Sequence, residues 1–291
     1  MRFMQLGNGG GFDFDQVSSS FLIEREFIDN QKFDYLKEDI EIKKKYMLFD
    51  CGHGVISKLQ EIQKKEDLKI LENLDFVFIS HVHEDHISNL SSLVLCRYFM
   101  MNKKTTVIYG NSDTKDFLQR YLKETCSNEL KGGVVQNAEM YNLINIGQFN
   151  NFFLPKKDKL DFELTTGNHM VIMSNGLIIP NETRYSTSKP YVLFISGDTK
   201  AHQVIQDELD EYINKHYAKN GIHTKAIIFH DYSTWKVPSR NVHACDIDIE
   251  GEYSDDFIKS MNGYHAGDMI VTKWIDFDKE EDLTIFAPLY G

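Results

Sequence analysis

Apolar and polar positions along this chain fall into two kinds of run. Short runs rich in Val, Ile, Leu and Phe at 3–6, 21–28, 45–50, 76–80, 105–109, 191–196 and 225–229 predict strands. Longer stretches at 55–65, 87–101, 114–125 and 201–218 predict helices. Strand-like pieces at 160–165, 170–173 and 177–179, a short helix near 255–261, and strands at 270–274 and 283–286 complete the pattern. The Asn-, Gly- and Phe-containing segment 127–157 predicts loops with short strands. Glycines stand at the corners, and the early run Gly9, Gly10, Gly11 lets the backbone turn tightly. No helix follows that run directly, so it is not a dinucleotide-binding turn. Strands first, helices interspersed, is the pattern of an α/β chain with two sheets packed together and helices outside. No repeat, and no linker rich in Pro, Gly or Ser, divides it, so residues 1–291 are expected to form one domain.

Composition narrows the function. The chain has 291 residues, 42% of them hydrophobic, which is enough for a substantial core. Acidic residues outnumber basic ones 44 to 32, a net charge of −12. A nucleic-acid binder carries a basic face, and the runs at 43–45 and 156–157 are too short to make one. Long nucleic acid is therefore not an expected partner, whereas a small anion held at a metal ion remains compatible. The four cysteines, Cys51, Cys96, Cys126 and Cys245, are scattered with no CxxC spacing, which fits reduced thiols in a cytoplasmic protein. No signal peptide or apolar run of membrane-spanning length occurs, so no membrane association is expected.

The chemistry concentrates in His81-Val82-His83-Glu84-Asp85-His86, between a strand and a helix. Alternate residues of an extended chain face one side, so His81 and His83 can point at one metal ion. Asp85 and His86 lie past the bend and can face a second. Imidazole with carboxylate suits zinc, manganese or iron. A two-metal site needs further ligands, and the ends of later strands offer His169, Asp198 and His265. Asp198, after an apolar strand, is placed to bridge two metals.

Taken in order, the opening glycines, HxHxDH, a lone His, a Gly-Asp after a strand and a late His resemble the metallo-β-lactamase superfamily over nearly the whole chain. The resemblance implies an αββα sandwich with the site at one edge. It implies two divalent ions, zinc in the first place, manganese or iron otherwise: one held by His81, His83 and His169, the other by Asp85, His86 and His265, with Asp198 between them. Within the superfamily the chain is most similar to the ribonuclease Z and cyclic-nucleotide phosphodiesterase branch. Leu6-Gly7-Asn8-Gly9 resembles its Leu-Gly-x-Gly opening, and Phe49-Asp50-Cys51-Gly52-His53-Gly54 its Phe-Asp-Cys-Gly-Glu-Gly, with His53 in place of the acid. His230-Asp231 resembles its His-Glu element and Val242-His243-Ala244 its later catalytic histidine. By that likeness Asp231 orients His243 near the leaving group, and Asp85 is both ligand and proton acceptor for an attacking water. The shorter Asp231 departs from the family's Glu.

The branch offers two substrates. Ribonuclease Z carries a long basic arm for precursor tRNA between the lone metal His and the bridging Asp. Here His169 and Asp198 are 29 positions apart, with no room for an arm. The resemblance thus implies a small substrate, a 3′,5′ cyclic mononucleotide, as for the phosphodiesterases phages use against cyclic-nucleotide immune signalling. His230, Tyr232 and Trp235 are candidate substrate contacts, the two aromatic residues by stacking on a base. The likeness also implies a homodimer, with segment 127–157 serving either as a partner loop or as core filling. Three alternatives stay open: tRNA 3′ processing, a nucleotide-binding sponge without turnover, and hydrolysis of a lactone or thioester.

Overall fold

The computed structural model describes residues 1–10, 15–28, 42–126, 129–130, 133–134, 137–152, 162–169, 172–181, 191–221, 224–231, 243–259, 261–264, 273–277, 279 and 282. The first part of the chain forms β1 (Arg2–Gly7), β2 (Ser20–Ile28), β3 (Ile42–Phe49), α1 (Val55–Glu66), β4 (Leu74–Ile79), α2 (Glu84–Ile87), α3 (Leu90–Met101), β5 (Thr105–Tyr109) and α4 (Ser112–Cys126). Then come β6 (Glu129–Leu130), β7 (Gly133–Val134), α5 (Asn137–Met140), β8 (Tyr141–Asn145), α6 (Ile146–Phe152), β9 (Glu163–His169), β10 (Ile172–Asn181) and β11 (Tyr191–Ile195). The last part holds α7 (Gln203–His216), β12 (Lys225–Asp231), α8 (Asp246–Glu252), α9 (Asp255–Lys259), β13 (Met261–Tyr264) and β14 (Ile275–Asp276).

Two sheets carry the molecule. The larger has the order β14-β1-β2-β3-β4-β5-β8, the smaller β13-β12-β11-β10-β9. Their central strands are apolar on both faces because each face meets a core. In β4, Phe76 and Phe78 pack between the sheets while Val77 and Ile79 pack against α1, α3 and α4. In β11, Leu193 and Ile195 face the other sheet while Val192 and Phe194 pack against α7 and α8. Helix, sheet, sheet, helix is the αββα sandwich expected above. The period of two in strands also fixes which side each later polar residue takes.

Several expected boundaries shift for identifiable reasons. The expected helix 87–101 is broken at Ser88 and Asn89, where the Asn89 N–H donates to the Cys51 carbonyl at 2.9 Å instead of continuing the helix. The pieces expected at 170–173 and 177–179 fuse into β10, whose polar middle, Ser174 and Asn175, is buried rather than a turn. Helix α8 and the short parallel edge strand β13 were not foreseen from pattern alone. Segment 127–157 contains β8, which pairs in parallel with β5 at the edge of the large sheet. The expected strand 283–286 lies outside the described residues, and most of 270–274 does too.

Candidate metal centre

Four strand ends meet at one edge of the sandwich. Asp50 follows β3, Ser80 and His81 follow β4, Asp198 lies just beyond β11, and Asp231 ends β12. These residues and His86 are all at most 1% exposed. Burying that many polar groups is costly unless they satisfy one another; most hydrogen-bond within the cluster, while Asp231 Oδ1 is buried with no hydrogen-bond partner among the described residues.

Asp50 is the hub. Its backbone is left-handed, with φ 59°, a conformation uncommon outside glycine. The turn aims its carboxylate back at the histidine motif. There it accepts the Ser80 N–H at 2.8 Å and the Ser80 hydroxyl at 2.7 Å, and lies 2.7 Å from His86 Nδ1. Ser80 Oγ in turn stands 3.0 Å from His81 Nδ1. The main chain is knitted the same way, with the Cys51 N–H donating to the His86 carbonyl at 2.7 Å. Gly52 permits this approach, because a Cβ there would overlap the Asp85 carbonyl.

The other ring nitrogens converge. His81 Nε2 is 3.1 Å from His83 Nδ1 and 3.8 Å from Asp198 Oδ2. His86 Nε2 is 3.2 Å from Asp198 Oδ2 and 3.4 Å from Asp85 Oδ2. Ligand-capable atoms of His81, His86 and Asp198 all lie within 4.8 Å of one another. Two nitrogens on one tetrahedral zinc, at about 2.0 Å each, stand about 3.3 Å apart, so the His81–His83 spacing fits a shared ion. The electrostatics agree. Burial pulls the His86 imidazole toward neutrality, yet the Asp198, Asp85 and Asp50 carboxylates override it and hold its pKa well above the ordinary value. Carboxylates packed this closely call for positive charge, and a divalent ion meets that call better than a proton. The donor set, imidazole with carboxylate, fits zinc, manganese or iron.

Beside this cluster stands a second pairing. Asp231 Oδ2 accepts the Thr199 N–H at 2.8 Å and lies 2.7 Å from His243 Nδ1. The Ala244 N–H donates to the Thr199 carbonyl at 3.0 Å, so the loops carrying Asp198 and His243 are stitched together. Burial pulls the His243 pKa down, but the Asp231 carboxylate, by charge and hydrogen bond, and Asp198 behind it raise it to about 9. Unlike the buried cluster, the His243 side chain is 27% exposed. Ligand-capable atoms of Asp198, Asp231 and His243 also lie within 4.8 Å of one another.

The model of the family described as anti-Pycsar protein Apyc1 matches residues 35–282. The chain belongs to that family. Curated relatives of this anti-Pycsar family chain include Ribonuclease Z of Listeria welshimeri, 28% identical over 110 residues, which are 35% of this chain and 34% of the relative. Ribonuclease Z of Methanosarcina acetivorans is 34% identical over 103 residues, 33% of this chain and 32% of the relative. The chain thus matches about a third of the length of these relatives. Among solved structures, the metallo-β-lactamase fold protein YhfI from Bacillus subtilis is 16% identical with a TM-score of 0.54, covering 98% of this chain and 92% of its own. Human tRNase Z, short form, is 15% identical with a TM-score of 0.56, covering 95% and 99%. At these identities the likeness is one of fold, and the fold is that of metallo-β-lactamases.

Of the residues singled out in the sequence of this family member, the structure brings together His81, His83, Asp85, His86, Asp198, Asp231 and His243. His169 is the last residue of β9, paired in register with Ile172 of β10. Tyr232, Trp235 and His265 lie outside the described residues. His230 requires a correction. It points to the face opposite Asp231, with Nδ1 at 2.7 Å from the Asp231 carbonyl and Nε2 at 2.7 Å from the Tyr253 hydroxyl. Fully buried and with both nitrogens engaged, it has no atom to offer a substrate; burial also lowers its pKa. Strand alternation carries the signal, since neighbours on a strand cannot both face the site. Asp50 and Ser80 were missed as site residues. Asp50 stood inside a quoted motif, but one carboxylate before Cys-Gly does not reveal which histidine it will meet.

Proposed function

We propose that this chain is a metal-dependent phosphodiesterase that opens 3′,5′ cyclic mononucleotides to linear nucleotides. The observation that carries the reading is the buried cluster His81, His86 and Asp198 set directly beside the Asp231–His243 pair. His81, His83 and His169 would hold one divalent ion and Asp85, His86 and His265 a second, with Asp198 between them. A bound divalent ion would acidify a water and offset charge building on the phosphoryl oxygens. Asp85 accepts or positions the proton of the attacking water. His243, kept charged by Asp231, donates a proton to the leaving oxygen or a hydrogen bond to a non-bridging oxygen. Membership of the anti-Pycsar family supports the cyclic mononucleotide, and with it a role in countering cyclic-nucleotide immune signalling. The short interval between His169 and Asp198 and the net charge of −12 support a small substrate over tRNA. The proposed working unit is a cytoplasmic homodimer of single-domain chains.

The partial matches to Ribonuclease Z favour tRNA 3′ processing as the second reading. The deciding experiment incubates manganese- or zinc-loaded protein with a panel of 3′,5′ cyclic mononucleotides and, separately, a precursor tRNA. Chelator and Asp85→Ala serve as controls. Chelator-sensitive conversion to linear nucleotides, reduced at least about 100-fold in the variant, is the expected result. Cleavage of the tRNA alone would replace the proposal with the second reading. Undiminished activity in Asp85→Ala would refute the role given to Asp85.

A further inference from the structure

The proposed metal centre straddles the seam between the two sheets. His81 follows β4 of the larger sheet, whereas Asp198 lies just beyond β11 of the smaller one. Apolar packing between sheets is non-directional, yet ligands must be held to within about 0.5 Å. We propose that Asn175 of β10 sets the gap: it is a positioning residue that holds the Ser80–His81 peptide and the Gly197–Asp198 turn at a fixed separation. The proposal rests on the metal-centre reading above.

Asn175 meets each side at the residue just before a ligand. Its N–H leaves the small sheet and donates to the Ser80 carbonyl, at the end of β4, at 3.1 Å. That carbonyl belongs to the planar peptide unit that ends at the His81 Cα, so fixing it fixes where His81 starts. On the other side Gly197, with φ 67°, folds over the Asn175 carbonyl, and a Cβ at 197 would sit 2.7 Å from that oxygen. Asp198 is the next residue. The side chain of Asn175, buried at 4% exposure, pins the strand itself. Its Nδ2 donates to the Thr165 carbonyl of β9 at 3.1 Å, and its Oδ1 accepts Asn111 Nδ2 at 2.6 Å. Both amide orientations are forced. The Thr165 carbonyl can only accept, so it takes Nδ2 of Asn175. Asn111 gives its Nδ2 to the Met173 carbonyl at 3.2 Å, and its Oδ1 accepts the Thr114 N–H at 2.9 Å, capping α4. The second hydrogen of that Nδ2 serves Oδ1 of Asn175. Gly110 makes room, since a Cβ there would overlap the same oxygen. A buried polar network with its members engaged is rigid, and this one crosses the seam beside His81 and Asp198.

Asn175→Ala removes the amide and leaves the main chain. Asn111→Ser keeps a capping side chain for α4 and removes the amide that reaches Asn175 and Met173. Ile179→Val, further along β10 in the core between the sheets, loosens the strand by packing alone. Cobalt(II), which accepts imidazole and carboxylate ligands, is the probe. Its affinity is read by chelator competition, and its visible spectrum reads the geometry of the loaded site. Asn175→Ala should bind cobalt about 10-fold more weakly, the lower end of the loss for residues that orient ligands, with a shifted spectrum. Asn111→Ser should change both in the same direction by less, and Ile179→Val should keep wild-type values. A residue that merely adds stability would lower the denaturant midpoint without moving the spectrum of the loaded protein. Wild-type affinity and spectrum in both asparagine variants, or the same shift in Ile179→Val, would overturn the positioning role and leave the metal centre standing. A wild-type chain that takes up no cobalt would overturn the metal-centre reading and this role with it. Should Asn175→Ala not fold, Asn111→Ser decides: a shifted spectrum supports the brace and an unshifted one refutes it.

Discussion

Asp198 stands within 4 Å of a nitrogen on each of His81, His86 and His243, so one carboxylate touches both the proposed ligand cluster and the proposed acid. That position separates two roles which the sequence could only pair by analogy. His243 gives its Nδ1 to Asp231, and the carboxylate holds the ring charged at neutral pH. A general acid in such a place contributes about 100- to 10,000-fold to rate. His243→Ala should accordingly lower kcat by at least about 100-fold while zinc content, measured by elemental analysis, stays at the wild-type level. If the zinc were lost along with turnover, His243 would be a ligand and the acid would have to be sought elsewhere. His230, one residue before Asp231, shows how finely this scale discriminates: adjacent in sequence, it meets the Tyr253 hydroxyl rather than His243.

The elements explain why these side chains can meet. The loop after β3 is joined backbone to backbone to the segment after β4, through the Cys51–His86 and Asn89–Cys51 hydrogen bonds, and Gly52 lies against Asp85. Any Cβ at 52 would overlap the Asp85 carbonyl, a main-chain group, and sit 2.6 Å from Ser18 Cβ. Gly52→Ala should cost about 1–3 kcal/mol in stability, as overpacking does, and should reduce turnover further by shifting Asp85. Denaturant unfolding and kinetics on the same sample check both, and a variant with wild-type kinetics would show that the loop can give way without moving Asp85. Much of this level was legible in the sequence. The apolar runs at 76–80 and 191–196 announced buried strands, and the structure brings the polar residues after them together at one edge. The contacts themselves were not legible. That Asn89 interrupts a helix to bond Cys51, or that Asn175 lies buried in mid-strand with its N–H on the Ser80 carbonyl, follows from packing between segments far apart in sequence. Spacing and propensity carry no record of such pairs.

At the scale of the whole molecule, the first strand is set inside the large sheet between β14 and β2, and a charged cluster on its helix-covered face fastens it there. Arg2 makes two hydrogen bonds to Glu24, at 2.9 and 2.6 Å, and Lys44 approaches the same carboxylate at 3.2 Å. The Arg2 guanidinium also lies 4.5 Å from the centre of the Trp274 ring, whose N–H donates to Glu66 of α1 at 2.7 Å. The cluster therefore joins β1, β2, β3, α1 and the segment leading into β14. Burial pushes the Glu24 carboxyl up, but Arg2 and Lys44 outweigh it and hold its pKa below the ordinary carboxylate value. Tyr46 on β3 moves the opposite way, raised by burial and by the Glu24 charge. A carboxylate depressed in the folded state contributes stability that is fully present above its unfolded pKa of about 4.3 and disappears as pH falls through the folded value. Glu24→Gln should thus destabilise the protein at pH 7 by about 1.5–3 kcal/mol, the scale of a charged hydrogen bond. Glutamine resembles the protonated acid, so the difference from wild type should shrink as the medium is taken below pH 4. Denaturant titrations at stepped pH values measure that difference directly. A gap that stayed constant into acid would mean that Glu24 acts through packing, and that the ion cluster contributes nothing that protonation can remove.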